Sequence, residues 1–157
     1  MENRMFAGTK RRKRARQVLA VGEVAATSSL VPLIDRFPEM TELLKRKGTA
    51  TWDFFCTVAA VGSGMYLAYR AIPHGEVPAT EKAVARVLNE WDGQGYEAYS
   101  DLHRFVARSI KGGSKAEVAV GAWVMWNIKG AEPTKREFEF GAVIGSMFFD
   151  SMAGAWE

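Results

Sequence analysis

Wound as a helix, residues 54–69 are apolar on every side and carry no charge. Such a helix is buried in a protein core or in a bilayer. Its sixteen residues rise only about 24 Å at ~1.5 Å each, short of a hydrocarbon layer of about 30 Å. Asp53 and Arg70 bracket the run, so lengthening it would bury a charge. The pattern predicts the central core helix of a bundle, over about residues 52–72. Ala59, Ala60, Gly62, Ser63 and Gly64 leave its middle thin, and thin helices let their neighbours approach closely.

The remaining apolar positions recur at helical spacing. A first helix is predicted over about 10–29, with Val18, Leu19, Gly22, Ala25 and Ala26 inward and Pro32 at or just beyond its end. Pro38 opens a short helix carrying Met40, Leu43 and Leu44, and Gly48 is placed to cap it after Lys45-Arg46-Lys47. Residues 73–78, with Pro73 and Pro78 at the ends, read as a turn. Over 79–91, Ala83, Val84, Val87, Leu88 and Trp91 form one stripe, with Lys82, Arg86 and Asn89 outside it. Asp92-Gly93-Gln94-Gly95 breaks that helix. The next runs to about residue 111 with Tyr99, Leu102, Phe105, Val106 and Ile110 inward. Ser114 with Glu117, and Thr134 with Glu137, have capping-box spacing and open two more helices. The first, 115–129, is apolar on all sides between Val118 and Trp126, so it is expected to be central. The last carries a ridge of Phe140, Ile144, Phe148, Met152 and Trp156 beside the small row Gly141 and Gly145.

No period-two alternation persists. The fold class predicted is all-α: a compact bundle of six or seven helices around the apolar one at 52–72. Ala60-Val61-Gly62 and Ala119-Val120-Gly121 each begin an apolar run that ends in a glycine turn. Pseudo-repeated helical hairpins are therefore an open alternative.

Charge divides the chain in two. Residues 1–16 hold seven Lys/Arg and one Glu, a formal +6 that leaves −3 for the other residues. This predicts a basic N-terminal arm at 1–16 and a single helical domain at 17–157, a length sufficient for one substantial core. Lys10, Arg11, Arg12, Lys13, Arg14 and Arg16 are the candidate anion-binding residues, since clustered cations attract phosphates through counterion release and acidic membranes similarly. Glu23 interrupts the weakly apolar stretch behind them, which argues against a secretory signal. The single cysteine, Cys56, permits no internal disulfide and suits a cytoplasmic or otherwise reducing compartment.

Catalytic chemistry has little to attach to. H-E-x-x-H, C-x-x-C and phosphate-cradling glycine loops are missing from the sequence, so no catalytic residue, cofactor or metal ligand is assigned. Residues 90–101 approach an EF-hand loop, but the first position is Glu90, the eighth is charged Glu97 and the last is the short Asp101. A glycine-broken helix junction accounts for them better. Cys56 lies in the most apolar segment and is expected to be an inert thiol. Trp123, Trp126, Gly141, Gly145 and Trp156 are candidates for an interface, with core packing as the alternative.

The turn His74-Gly75-Glu76-Val77-Pro78-Ala79-Thr80-Glu81 follows one apolar helix. Lys129-Gly130-Ala131-Glu132, with Glu137 beyond, follows another. Both resemble the Asp-Gly turn with a downstream Glu of the tellurite-resistance TerB-like helical domains, a likeness spanning about residues 52–156. It implies an all-helical, pseudo-symmetric interaction module with acidic metal-binding turns. The family's turn aspartates are replaced by His74 and Lys129 here, and the second Gly-to-Glu spacing is one residue longer.

The function expected is that of a non-catalytic helical interaction or scaffold protein. It would dock on a protein partner or a second copy of itself, with the basic arm on nucleic acid or an acidic membrane. The alternative is a membrane-embedded or membrane-bound protein, suggested by residues 54–69 and 138–149. An enzyme would need a deep polar pocket at His74 or His103. Deleting residues 1–16 is expected to abolish binding to anionic polymers while leaving stability nearly unchanged.

Overall fold

The computed structural model describes the backbone of residues 2–156 and the side chains of residues 8–156. The chain is an all-α bundle of seven helices: α1 (Glu2–Arg36), α2 (Thr41–Lys47), α3 (Thr49–Ala71), α4 (Val77–Trp91), α5 (Gly95–Lys111), α6 (Ala116–Lys129) and α7 (Lys135–Met152). Short 3₁₀ turns at Pro38–Met40, His74–Glu76 and Ala153–Trp156 complete it, with no strand among the described residues.

Helix α3 touches all six others, and every residue from Cys56 to Met65 is buried. Its thin middle is why. Leu102 of α5 sits in the notch at Gly62, and Met152 of α7 sits in the notch at Gly64. Val61 in turn fills the notch at Gly22 of α1. Three indoles then pin helices together: Trp52 donates to the Ala26 carbonyl at 3.3 Å, Trp123 to the Asp101 carboxylate at 2.9 Å and Trp156 to the Gly64 carbonyl at 2.8 Å. Each ring thus buries its apolar body without stranding its N–H.

The closest approach is between α6 and α7. A Cβ on Gly121 would fall on the carbonyl of Gly141, and one on Gly145 would fall on the carbonyl of Glu117. The ridge Phe140, Ile144, Phe148, Met152 and Trp156 is buried along its length. The hairpins α3–α4 and α6–α7 pack differently: α6 and α7 meet backbone to backbone, whereas α4 leans mainly on α1 and α5.

Several local expectations are corrected. Pro32 lies inside α1, which continues to Arg36. Packing of Leu33 and Phe37 in the core outweighs the roughly 3 kcal/mol that an interior proline costs. Helix α6 is not wholly central, because Val118 and Trp126 reach the surface, as does Ile110 in the last turn of α5. Its N-cap is Lys115, with no side-chain cap from Ser114. The capping box of Thr134 and Glu137 is formed at α7, and Gly48 ends α2 with φ +86°.

Gly121→Ala is expected to lower unfolding free energy by about 1–3 kcal/mol, because α6 and α7 must separate to admit a methyl group. Gly8→Ala, on an open stretch of α1, should instead raise it by about 0.5–1 kcal/mol through helix propensity. Urea titration of the two variants checks both signs; a neutral Gly121→Ala would refute the backbone contact.

Candidate functional site

Helix α1 crosses residue 16 without a break, and Ala15 is fully buried. The basic segment is therefore the first part of a core-packed helix, and its cations are fixed in direction by the helix rather than swept around by a loose arm. Removing residues 1–16 would take Ala15 from the core and Arg14 from the face of Trp156, where its guanidinium lies 5.7 Å from the ring centroid. Substitutions are the sounder probe. Side chains 1–7, including Arg4, lie outside the described residues.

Against the start of α1 lies α4. Arg11 and Arg12 from the first helix, and Lys82 and Arg86 from the second, line one groove of about 530 Å³, with Ala79, Ala83 and Val87 along its floor. Lys82 and Arg86 stand one helical turn apart, so their ammonium and guanidinium groups project along the same edge. Glu90 closes one end and pairs with Arg12 at 2.9 Å. Both partners are about half exposed, so the pair contributes at most about 1 kcal/mol. Among the described residues, Arg11, Lys82 and Arg86 have no carboxylate within 4 Å.

Lys10, Lys13 and Arg14 point to the other flank of α1, where with Glu76 and Thr80 they border a second groove of about 420 Å³. Arg11 borders both. Arg16 is exposed and lines neither. The fold thus divides the basic run and adds two cations to one half of it. Lys82 and Arg86 fall outside the apolar stripe of α4, where solvated charges are the ordinary finding. Only their i, i+4 spacing could have singled them out.

Four of the five interface candidates are used inside the chain's own packing. Trp123 and Trp156 are buried, and Gly141 and Gly145 face the α6 backbone. Trp126 alone reaches the surface, 38% exposed. It lines an open groove of about 680 Å³ with Phe105, Arg108 and Asn127.

The carboxylate of the second acidic turn is already paired. The Lys129 ammonium donates to Glu137 at 2.6 Å, and the Thr134 amide donates to the same oxygen at 2.8 Å. Partial burial pulls the Glu137 carboxyl up, but Lys129 and the Thr134 cap outweigh it and leave it below the usual carboxylate range. At the other turn His74 is exposed, and its Nε2 lies 3.0 Å from the Tyr69 carbonyl. Across the junction resembling an EF-hand, Asp92 accepts from the Gln94 amide and Asp101 from Trp123. No group of three or more His, Cys, Asp or Glu among the described residues could hold a metal ion. Cys56 is wholly buried, and burial pushes its thiol well above the ordinary range.

Compared with known proteins, the chain matches no family model, no curated protein and no solved structure.

Because the Glu137 carboxyl is depressed on folding, its contribution is present above the unfolded carboxylate range and is lost as pH falls through the lower folded value. Glu137→Gln keeps an acceptor for the Thr134 amide but loses the charge facing Lys129, so it should cost about 1 kcal/mol at neutral pH, and the gap from the parent should close below about pH 4. Urea midpoints of both proteins from pH 7 to pH 3 check this; a pH-independent gap would contradict it.

Proposed function

We propose that this protein is a non-catalytic helical interaction protein that holds a phosphate-bearing polymer along the groove between the start of α1 and α4. One observation carries the reading: Arg11, Arg12, Lys82 and Arg86, from two different helices, border a single groove in which only Arg12 has a carboxylate partner among the described residues. Cations fixed at helical spacing on rigid elements match a repeating phosphate backbone, and they release its counterions on contact. The apolar lining residues Ala79, Ala83 and Val87 do not compete for the charge. A protein partner, or a second copy of the chain, would meet a separate surface, where Trp126 borders the α5–α6 groove. An interaction role is also what the likeness of residues 52–156 to TerB-like domains implies. The lone buried thiol suits a reducing compartment.

A membrane-bound reading has its own support. Helix α1, from Gly8 to Arg36, is long and apolar enough to cross a bilayer, and only 39% of its most apolar window is buried. Val24 and Val31 are each 67% exposed on its outer side. The segment at 54–69, which first suggested a membrane, is instead covered on all sides by protein from Cys56 to Met65. Carbonate extraction distinguishes the two readings, since protein retained in the pellet would favour the bilayer.

The double variant Lys82→Glu, Arg86→Glu is expected to weaken binding to a fluorescein-labelled oligodeoxythymidylate at least about tenfold at moderate salt. The slope of log affinity against log salt should flatten by about 1.5, as for two lost phosphate contacts. Thermal stability should be nearly unchanged, because both side chains are exposed. Full-length protein with no salt-sensitive retention on heparin would end this reading.

A further inference from the structure

On the other flank of α4, where it meets α3 and α5, aromatic rings close around a single carboxylate. Tyr66 and Tyr69 come from α3, Tyr99 and His103 from α5, and Glu81 from α4, over a floor of Met65 and Leu102. Tyr66 and His103 are stacked, with ring centroids 6.5 Å apart and planes 24° from parallel. The Tyr99 hydroxyl donates to Glu81 at 3.2 Å. Among the described residues no Lys, Arg or His nitrogen lies within 4 Å of that carboxylate. This half-buried carboxylate faces the cleft, where a positive group can approach it.

The surroundings select what kind of cation. Ring faces attract positive charge, and they compete best for cations that water holds weakly, of which alkylated ammonium is the main biological example. Burial, followed by the charge of Glu81, raises the Tyr99 hydroxyl far above its usual range. Burial also raises Tyr66. The phenols therefore stay neutral, and of the three tyrosines Tyr69, 49% exposed, offers the most open ring.

The enclosed part of this cleft is only about 20 Å³, room for one methyl-sized group. It opens into a wider groove of about 430 Å³ that shares Glu81, Tyr99 and His103 with it. Lys82 and Arg104 border that outer groove. Cations there would repel a ligand that is only positive. They suit one whose positive head is followed, a short chain away, by an anion.

We propose that the mouth of the cleft between α3, α4 and α5 binds the alkylated ammonium head of a small zwitterion, one N-methyl entering the enclosed part and the rest lying beside Glu81 in the outer groove, with Lys82 and Arg104 holding its anionic end. A choline phosphate ester has this chemistry, whether free or as a lipid headgroup. The site adjoins the polyanion groove and shares Lys82 with it, but Arg11 and Arg86 belong only to that groove, and Glu81 and the tyrosines only to this one.

The test is a titration of ¹⁵N-labelled full-length protein with phosphocholine, followed by amide shifts. Shifts are expected at Tyr66, Glu81, Tyr99 and His103. The uncharged-head isostere 3,3-dimethylbutyl phosphate should bind about tenfold more weakly, as should phosphocholine to Glu81→Gln, reflecting loss of the charge–charge and cation–π attraction. Arg104→Ala should weaken phosphocholine binding without weakening that of tetramethylammonium. Competition of free phosphocholine against flotation with phosphatidylcholine vesicles separates the two sources: vesicle binding that the free ester displaces assigns a lipid headgroup, and its absence assigns a soluble ester. Equal affinity for the isostere, or shifts confined to Arg11 and Arg86, would overturn the proposal. Dispersed spectra of both variants guard against reading misfolding as lost binding.

Discussion

A helix can lie at the centre of six others only if it is narrow, and α3 is narrow where it matters. From Ala59 to Gly64 its largest side chain is Val61. Neighbouring side chains use the room: Leu102 enters at Gly62 and Met152 at Gly64, while Val61 enters the gap at Gly22. Each of these glycines weakens its own helix by roughly 1 kcal/mol relative to alanine. Tight packing between helices offsets that weakness, because interiors gain dispersion energy from every close contact and lose it across any gap. The seam of α6 and α7, with Gly121, Gly141 and Gly145, applies the same device with still less space to spare.

This construction decides what is left for the surface. With Trp52, Trp123 and Trp156 drawn inward and their N–H groups satisfied within the chain, the outer faces are left with charges, a few half-covered rings and the grooves between helices. Helix α1 packs on both α3 and α4, and this places the basic run beside Lys82 and Arg86. The tyrosines in the second half of α3 line, together with Gly62, a cleft beside Glu81. Both candidate sites lie in grooves between packed helices.

Much of the helix pattern was legible beforehand. The inward positions Val18, Leu19, Gly22, Ala25 and Ala26 of α1 are buried, as are Val84, Val87, Leu88 and the α7 ridge. These follow from 3.6-residue periodicity alone. The errors came where a tertiary contact overrode a local signal. Pro32 failed to end α1 because Leu33 and Phe37 are held in the core, and Ile110 is exposed because the last turn of α5 is left uncovered. Of the basic groove, only the α1 half was visible, since no spacing in a sequence pairs Arg11 with a lysine 71 positions later.

By itself the sequence determined the helical period, the thin middle of α3, the cap at Thr134 and the concentration of positive charge near the N-terminus, because each arises between residues a few positions apart. Only the tertiary structure decided which helix faces meet. Contacts between distant segments depend on how all the apolar faces are covered at once. That set Trp123 inside and Trp126 outside, laid the cations of α1 along α4, and left Glu81 among tyrosines with no positive partner among the described residues.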